Sequence, residues 1–409
     1  LQHQNRLEES AKLWAQAAAL WKEIGDVPYE VEALLEQLWG TRSEISQRRQ
    51  ATLERTLAAM QQKTNRPLAL AEVLQRYAQR FYDAKQQVVA LPLLERAIEA
   101  RRAVAPDSRE MGVALYFIGE IHQNWGNREL ARKNYQQALQ ILEKVAPDSV
   151  EIVAILTSLA AIEQAFRRYP QALEYAERGA RLAEQQNALP QIRAAALFQL
   201  GEMCRWANQL ERAENSLLQG VEICLRHAKI DRRLLVSGYM ILTTVLMLQS
   251  QIDKALEYAQ RAWEVQEQID PESMDAAQIL AMRSILSMQK YRFKDATEYA
   301  DRALAIAQRV YPALDSPELI QILVAVGTAR LAQGKHNDAL DMLDRARQLA
   351  FKAGDIESLR VVLSLLKSLS SALGRSEQAQ QYQRELDALG KSDILEPVVR
   401  IFNLTTQAQ

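Results

Sequence analysis

Alanine returns to one position throughout this 409-residue chain, at Ala51, Ala90, Ala131, Ala172, Ala213, Ala255, Ala296, Ala339 and Ala379. The spacing is nearly constant. Alanine accounts for 60 of the 409 residues, so composition alone does not fill nine such positions. The flanks repeat as well. Twelve residues upstream stand Trp39, Ala78, Gly119, Ala160, Gly201, Thr243, Ser284, Gly327 and Lys367, small in all but the first and last. Seven residues downstream stand Ala58, Ala97, Ala138, Gly179, Gly220, Ala262, Ala303, Ala346 and Leu386. Small side chains at three fixed offsets in a unit of about 40 residues mark a stacked helical hairpin.

The physical reason is close approach. A helix carries Gly, Ala or Ser where another helix must nest against its ridge, and bulkier residues between these positions supply the core. In the third unit the expected core is Leu115, Ile118, Leu130, Tyr135 and Leu139; in the fifth it is Leu197, Leu200, Leu210, Leu217 and Val221. These spacings fit a helical period and not the alternation of a strand. The expected fold is all-α. A single globular core of this length would normally split into domains, whereas a solenoid grows by adding units that touch only their neighbours. No Ser/Gly/Pro-rich linker interrupts the chain, so one continuous array over residues 1–409 is expected.

Prolines mark the boundaries. Ala105-Pro106-Asp107-Ser108 and Ala146-Pro147-Asp148-Ser149 lie one repeat apart, each offering an Asp or Ser as N-cap for the next helix. Asp270-Pro271-Glu272-Ser273 and Ser316-Pro317-Glu318 place proline just inside a cap, where its missing N–H costs nothing. All eleven prolines are expected in loops or first turns. Gly126-Asn127, Gly334-Lys335 and Gly374-Arg375 read as turns within hairpins.

The chain has 50 basic and 51 acidic residues, a net charge of -1 and a pI near 6.6, without the basic excess of a nucleic-acid binder. Two cysteines, Cys204 and Cys224, cannot build a disulfide framework, so a reduced, cytoplasmic setting is the expectation. The N-terminus is polar and shows no signal peptide. The run from Leu234 to Ile252 carries no charge and approaches membrane-spanning length. It keeps the repeat frame and includes polar residues such as Thr243, Thr244 and Gln249, so it reads as a buried repeat helix and not a membrane span.

The spacing of Leu115, Ile118, Gly119, Ala131, Tyr135 and Ala138 resembles the tetratricopeptide repeat. Units of this length, with phrases such as Leu142-Glu143-Lys144-Val145-Ala146-Pro147-Asp148-Ser149, resemble the long subclass of kinesin light chains and of bacterial arrays attached to CHAT peptidases. The resemblance implies a right-handed superhelical solenoid of antiparallel helix pairs. Nine pairs are expected over residues 29–389, with an orphan half-repeat at 6–22 and an apolar C-terminal helix at 392–405. Both ends read as cuts, as in a piece of a larger polypeptide. In such a superhelix the first helix of each pair lines the concave face. The family's binding positions correspond to Gln79, Tyr82, Tyr116, Glu120, Gln123, Asn124, Thr157, Gln164, Phe198, Glu202, Arg205, Trp206, Met240, Thr244, Met247 and Met288. Aromatic, Met, Asn and Arg residues interleaved in this way suit capture of a protein or peptide segment, although the same side chains serve equally to fill space between units. The apolar Ile394, Leu395, Val398, Ile401 and Phe402 are a second expected docking surface, for a further domain or partner.

Chemistry is otherwise sparse. There is no Gly-rich phosphate loop, H-E-x-x-H or C-x-x-C, and no cofactor or metal is expected. Cys224 and His227 could touch on one helix, but they read better as a small buried hydrophobe and a helix-terminal cation. Positions that form a two-carboxylate clamp in chaperone-binding relatives carry Tyr116, Glu120, Thr157 and Ala161, which excludes that clamp. The expected function is a non-enzymatic protein- or peptide-binding scaffold or sensor arm. The alternatives are the regulatory array of a CHAT-type cysteine peptidase with its catalytic domain outside this chain, and a peptide-responsive regulator.

Overall fold

The computed structural model describes residues 27–40 and 66–389, together with isolated helical positions at Gln16, Ala18 and Ala19. These residues contain seventeen α-helices and no β-strand. They fall into two compact units, Leu1–Gln186 and Asn187–Gln409. The first unit holds α1 (Val27–Gly40), α2 (Pro67–Asp83), α3 (Gln87–Arg102), α4 (Arg109–Asn124), α5 (Arg128–Val145), α6 (Val150–Ala165) and α7 (Tyr169–Gln185). In the second are α8 (Pro190–Trp206), α9 (Leu210–Arg226), α10 (Arg232–Leu248), α11 (Ile252–Ile269), α12 (Met274–Gln289) and α13 (Phe293–Val310). A 3-10 turn, Pro317–Leu319, then precedes α14 (Ile320–Ala332), α15 (His336–Ala353), α16 (Ile356–Ala372) and α17 (Ser376–Ala388). From α2 onward each even-numbered helix packs on the helix that follows it. The nine-unit frame, the half-repeat at 6–22, Ala51, Ala58 and the apolar segment 392–405 extend outside the described residues.

The alanine frame has a direct structural meaning. Each described alanine, from Ala90 to Ala379, is the fourth residue of the second helix of its pair and is buried. The small residue twelve positions earlier lies against it. Gly119, Gly201 and Gly327 approach so closely that an added Cβ would fall 2.6 Å from Tyr135, 2.5 Å from Leu217 and 2.8 Å from Leu343, each four residues beyond its alanine. Where Ser284 takes this position, its hydroxyl donates to the Ala296 carbonyl at 2.7 Å, so the contact that excludes bulk satisfies a polar atom. The small residue seven positions downstream faces the same first helix further along. Phe198 of α8 seats its ring against Gly220 of α9 and Gly238 of α10.

Turns within the pairs are equally regular. The residue five before each alanine is left-handed in all eight described hairpins: Lys85, Gly126, Arg167, Asn208, Ser250, Tyr291, Gly334 and Gly374. The next N–H then reaches back to the last turn of the first helix, as in Asn127 N to His122 O and Arg168 N to Glu163 O, both 2.8 Å. This is the Schellman closure of a helix end.

Several expectations differ. Leu130 is 47% exposed, because it lies off the stripe of Ala131, Tyr135, Ala138 and Leu142 that faces the core. Leu197, Leu200 and Leu210 are half-buried, while Leu217 and Val221 are buried. Pro92 is not in a loop or first turn but inside α3. It cannot donate to the carbonyl four residues back, and the fold accepts it where the preceding turn carries the exposed Val88. Ser108 and Ser273 cap α4 and α12 by accepting the Met111 and Ala276 N–H groups, each at 3.2 Å. Ser149 occupies the cap position of α6 without making such a bond. Pro271 precedes the cap residue Ser273 and so lies outside the helix, while Asp270 accepts the Glu272 N–H at 3.1 Å.

Candidate functional site

In the first unit, α2, α4, α5 and α6 bring a group of polar and aromatic side chains around Glu120. The Tyr135 hydroxyl donates to Glu120 Oε1 and shares a 3.0 Å contact with Gln123 Oε1. Ser158 donates to Glu120 Oε1 at 3.2 Å, and Tyr82 to Glu120 Oε2 at 3.4 Å. Rings close the group: Tyr82 meets Phe117 edge-on at 5.3 Å, and Tyr116 lies 5.1 Å from Phe117 and 6.1 Å from Tyr135. Burial first, and then the Glu120 charge, pushes the Tyr82 phenol up to about 12. The same two causes raise the Tyr116 and Tyr135 phenols further. Tyr82, Tyr116, Glu120 and Gln123 are half-buried and Asn124 is exposed. Gln79 also sits half-buried on α2, donating to Asp83 at 2.9 Å.

The second unit treats its residues differently. At the end of α8, Arg205 Nε donates to Glu202 Oε2 at 3.0 Å, and Trp206 Nε1 donates to Glu202 Oε1 at 2.9 Å. The guanidinium lies over the Trp206 ring at 4.3 Å. Arg205, Trp206 and Glu202 form one half-buried block. Phe198 is only 3% exposed, its ring packed in the core. Met288 is buried too. Met240, Thr244 and Met247 share the half-buried face of α10, with Thr244 donating to the Met240 carbonyl at 3.1 Å. In the first unit Thr157 donates to Val153 O at 2.9 Å, and Gln164 is half-buried. Ile394, Leu395, Val398, Ile401 and Phe402 lie outside the described residues.

Elsewhere the charged groups near the core are held as clamps. Glu163, the one charge on α6 besides Glu151, is almost fully buried and receives Arg132 Nε at 2.6 Å and Arg168 at 3.2 Å, tying α5, α6 and the α6–α7 turn together. The Cys224 thiol is pushed up by burial to about 11, opposite to the shift that activates a nucleophile. His227 is the exposed C-cap of α9. Among the described residues no cluster of His, Cys, Asp or Glu could hold a metal ion, and no helix is long and apolar enough to cross a membrane.

Residues 110–185, which include Glu120, Tyr116, Tyr135 and Ser158 but not Tyr82, match the family model described as tetratricopeptide repeat. No curated protein matches the chain by sequence. Solved structures do resemble it. The apo form of the quorum sensor NprR from B. thuringiensis is 12% identical over 95% of this chain and 99% of its own, with a TM-score of 0.61. A Rap protein complexed with competence and sporulation factor is 14% identical over 94% and 98%, with a TM-score of 0.59. Aspartyl phosphate phosphatase F from Bacillus subtilis is 14% identical over 95% and 94%, with a TM-score of 0.58. The fold is a tetratricopeptide-type helical solenoid.

The sequence placed Tyr82, Tyr116, Glu120, Gln123 and Asn124 of this solenoid on first helices, and the structure brings them together. It missed Tyr135 and Ser158. Tyr135 was legible only as core, because it falls in the second helix on the buried stripe. Yet a buried tyrosine hydroxyl needs a partner, and the small Gly119 opposite it was the available hint that the ring reaches across to the first helix.

Proposed function

We propose that the chain is a peptide-binding solenoid, acting as a sensor or scaffold, with the exposed faces of its first helices as the recognition surface. The observation that carries this reading is the Glu120 group. Aromatic rings, an amide and a carboxylate are fixed by hydrogen bonds on one face and remain partly open to solvent. Preorganised anchors of this kind lower the ordering cost of binding. The described second helices contribute Tyr135 to that group and otherwise carry charged side chains paired along or between helices, such as Arg178 with Glu143 and Arg261 with Glu257. Two of the structures that share the fold are a quorum sensor and a Rap protein complexed with competence and sporulation factor, which is in keeping with a sensing role.

The test is a positional library of acetylated hexapeptides presented to the purified chain. Selective binding that Tyr116→Ala weakens at least tenfold, and that Arg178→Ala leaves intact, is expected. No binding above background, or equal loss in both variants, contradicts the reading.

A further inference from the structure

Glu120 stands eleven residues before Ala131, and Glu202 eleven before Ala213. The two glutamates therefore share one register, two repeats apart, near the ends of α4 and α8. Both are half-buried. Their partners differ: hydroxyls of Tyr135, Ser158 and Tyr82 donate to Glu120, whereas Arg205 and the Trp206 ring N–H donate to Glu202. Glu202 carries its own cation three residues on, the Arg205 guanidinium, which is also stacked on Trp206 four residues on. At the same offsets Glu120 has Gln123 and Asn124, both neutral, and it makes no ion pair with any described residue. Arginine comes close to buried or half-buried carboxylates elsewhere in this unit, as with Glu36 and Arg80 or Glu163 and Arg132, so the lack at Glu120 is local.

Glu120 retains capacity. A carboxylate accepts about four hydrogen bonds, and Oε2 here receives a single long one, from Tyr82 at 3.4 Å. Around it are the rings of Tyr82, Tyr116 and Phe117, whose faces attract a cation. We infer that Glu120, bracketed by Tyr82 and Tyr116, is the seat of an arginine side chain from a bound peptide. The inference rests on the peptide-binding reading above and adds the chemistry of the ligand. Glu202, Arg205 and Trp206 show within this chain what a filled version of the position contains: a guanidinium held by a carboxylate and covered by a ring. A guanidinium suits the seat better than an ammonium, because it is planar, stacks on aromatic faces, forks onto a carboxylate and sheds water more readily.

The library of acetylated hexapeptides supplies the probe, followed by the best-binding sequence with its arginine replaced by citrulline or lysine. Citrulline keeps the shape of the side chain and removes its charge, so the comparison does not depend on any variant of the protein folding. Enrichment for arginine at one position is expected, with citrulline weakening binding at least tenfold and lysine several-fold. Glu120→Gln is expected to abolish the arginine preference while Glu202→Gln keeps it. Binding without an arginine preference, an equal affinity for lysine or citrulline, or selection of a free N-terminus in a non-acetylated library overturns this inference and leaves the peptide-binding reading standing. Absence of binding by any peptide overturns both.

Discussion

A methyl group added at Gly238 would lie 2.3 Å from the Phe198 ring, and one added at Gly220 2.5 Å from it. The ring is buried and has nowhere to retreat. Helix propensity alone makes Gly→Ala in a helix interior favourable by about 1 kcal/mol. Overpacking costs about 1–3 kcal/mol and opposes it here. Gly238→Ala is therefore expected to lower the midpoint of urea unfolding, and to do so less when Phe198 is also changed to Leu. A raised midpoint in the single variant would mean the helices are not this close. The tyrosines around Glu120 give a pH signature at the same scale. Burial and the neighbouring charge hold the Tyr82 phenol in its protonated form up to about 12, above its ordinary value of 10.0. A raised folded-state value stabilises fully below the unfolded value, so this contribution is complete below pH 10 and is lost as pH climbs from 10 through about 12. An ultraviolet titration of the folded chain is expected to show a set of phenols that ionise late or only with unfolding. A single class titrating near 10 would contradict the placement of the half-buried Tyr82 and Tyr116 and the buried Tyr135.

At the scale of elements, hairpin turns show what the sequence revealed and what it hid. Gly126, Gly334 and Gly374 were readable as turns because glycine tolerates a left-handed backbone. Asn208 carries a weaker form of that signal, since asparagine tolerates the left-handed region, whereas Lys85, Arg167, Ser250 and Tyr291 adopt the same conformation at the same offset without it. In those turns the helix-end closure and the packing of the pair override the local preference of the residue. Such a conformation costs an L-residue roughly 1–2 kcal/mol. Arg167→Gly and Ser250→Gly are thus expected to stabilise the chain by about 0.5–1 kcal/mol, after allowing for the greater freedom of glycine in the unfolded state. Arg167→Ala should give no such gain, and an equal gain would show that the turn is not constrained as described. The first- and second-helix assignment was legible because the alanine position demands a small side chain in every unit. Leu130 was misread as core because composition cannot say which side of a first helical turn faces inward, and Pro92 because proline near the start of a helix resembles a boundary.

At the scale of the whole molecule, a net charge of -1 leaves little long-range field to gather a ligand. Recognition by this account depends on a few held side chains. Sequence order placed the Glu120 group on the first helices, but only the fold brings Tyr135 from α5 and Ser158 from α6 onto the same carboxylate. Phe198 and Met288 were drawn into the expected surface by register alone, and packing takes both into the core. Photocrosslinking tests the central claim most directly. A library-selected hexapeptide carrying a benzophenone would be irradiated with the full chain and the attachment sites mapped by mass spectrometry. The account predicts attachment on α2, α4 and α6 around Tyr82, Tyr116 and Asn124, removed by excess unlabelled peptide. Attachment confined to the second helices, or to the segment around Ile401 and Phe402, would contradict it.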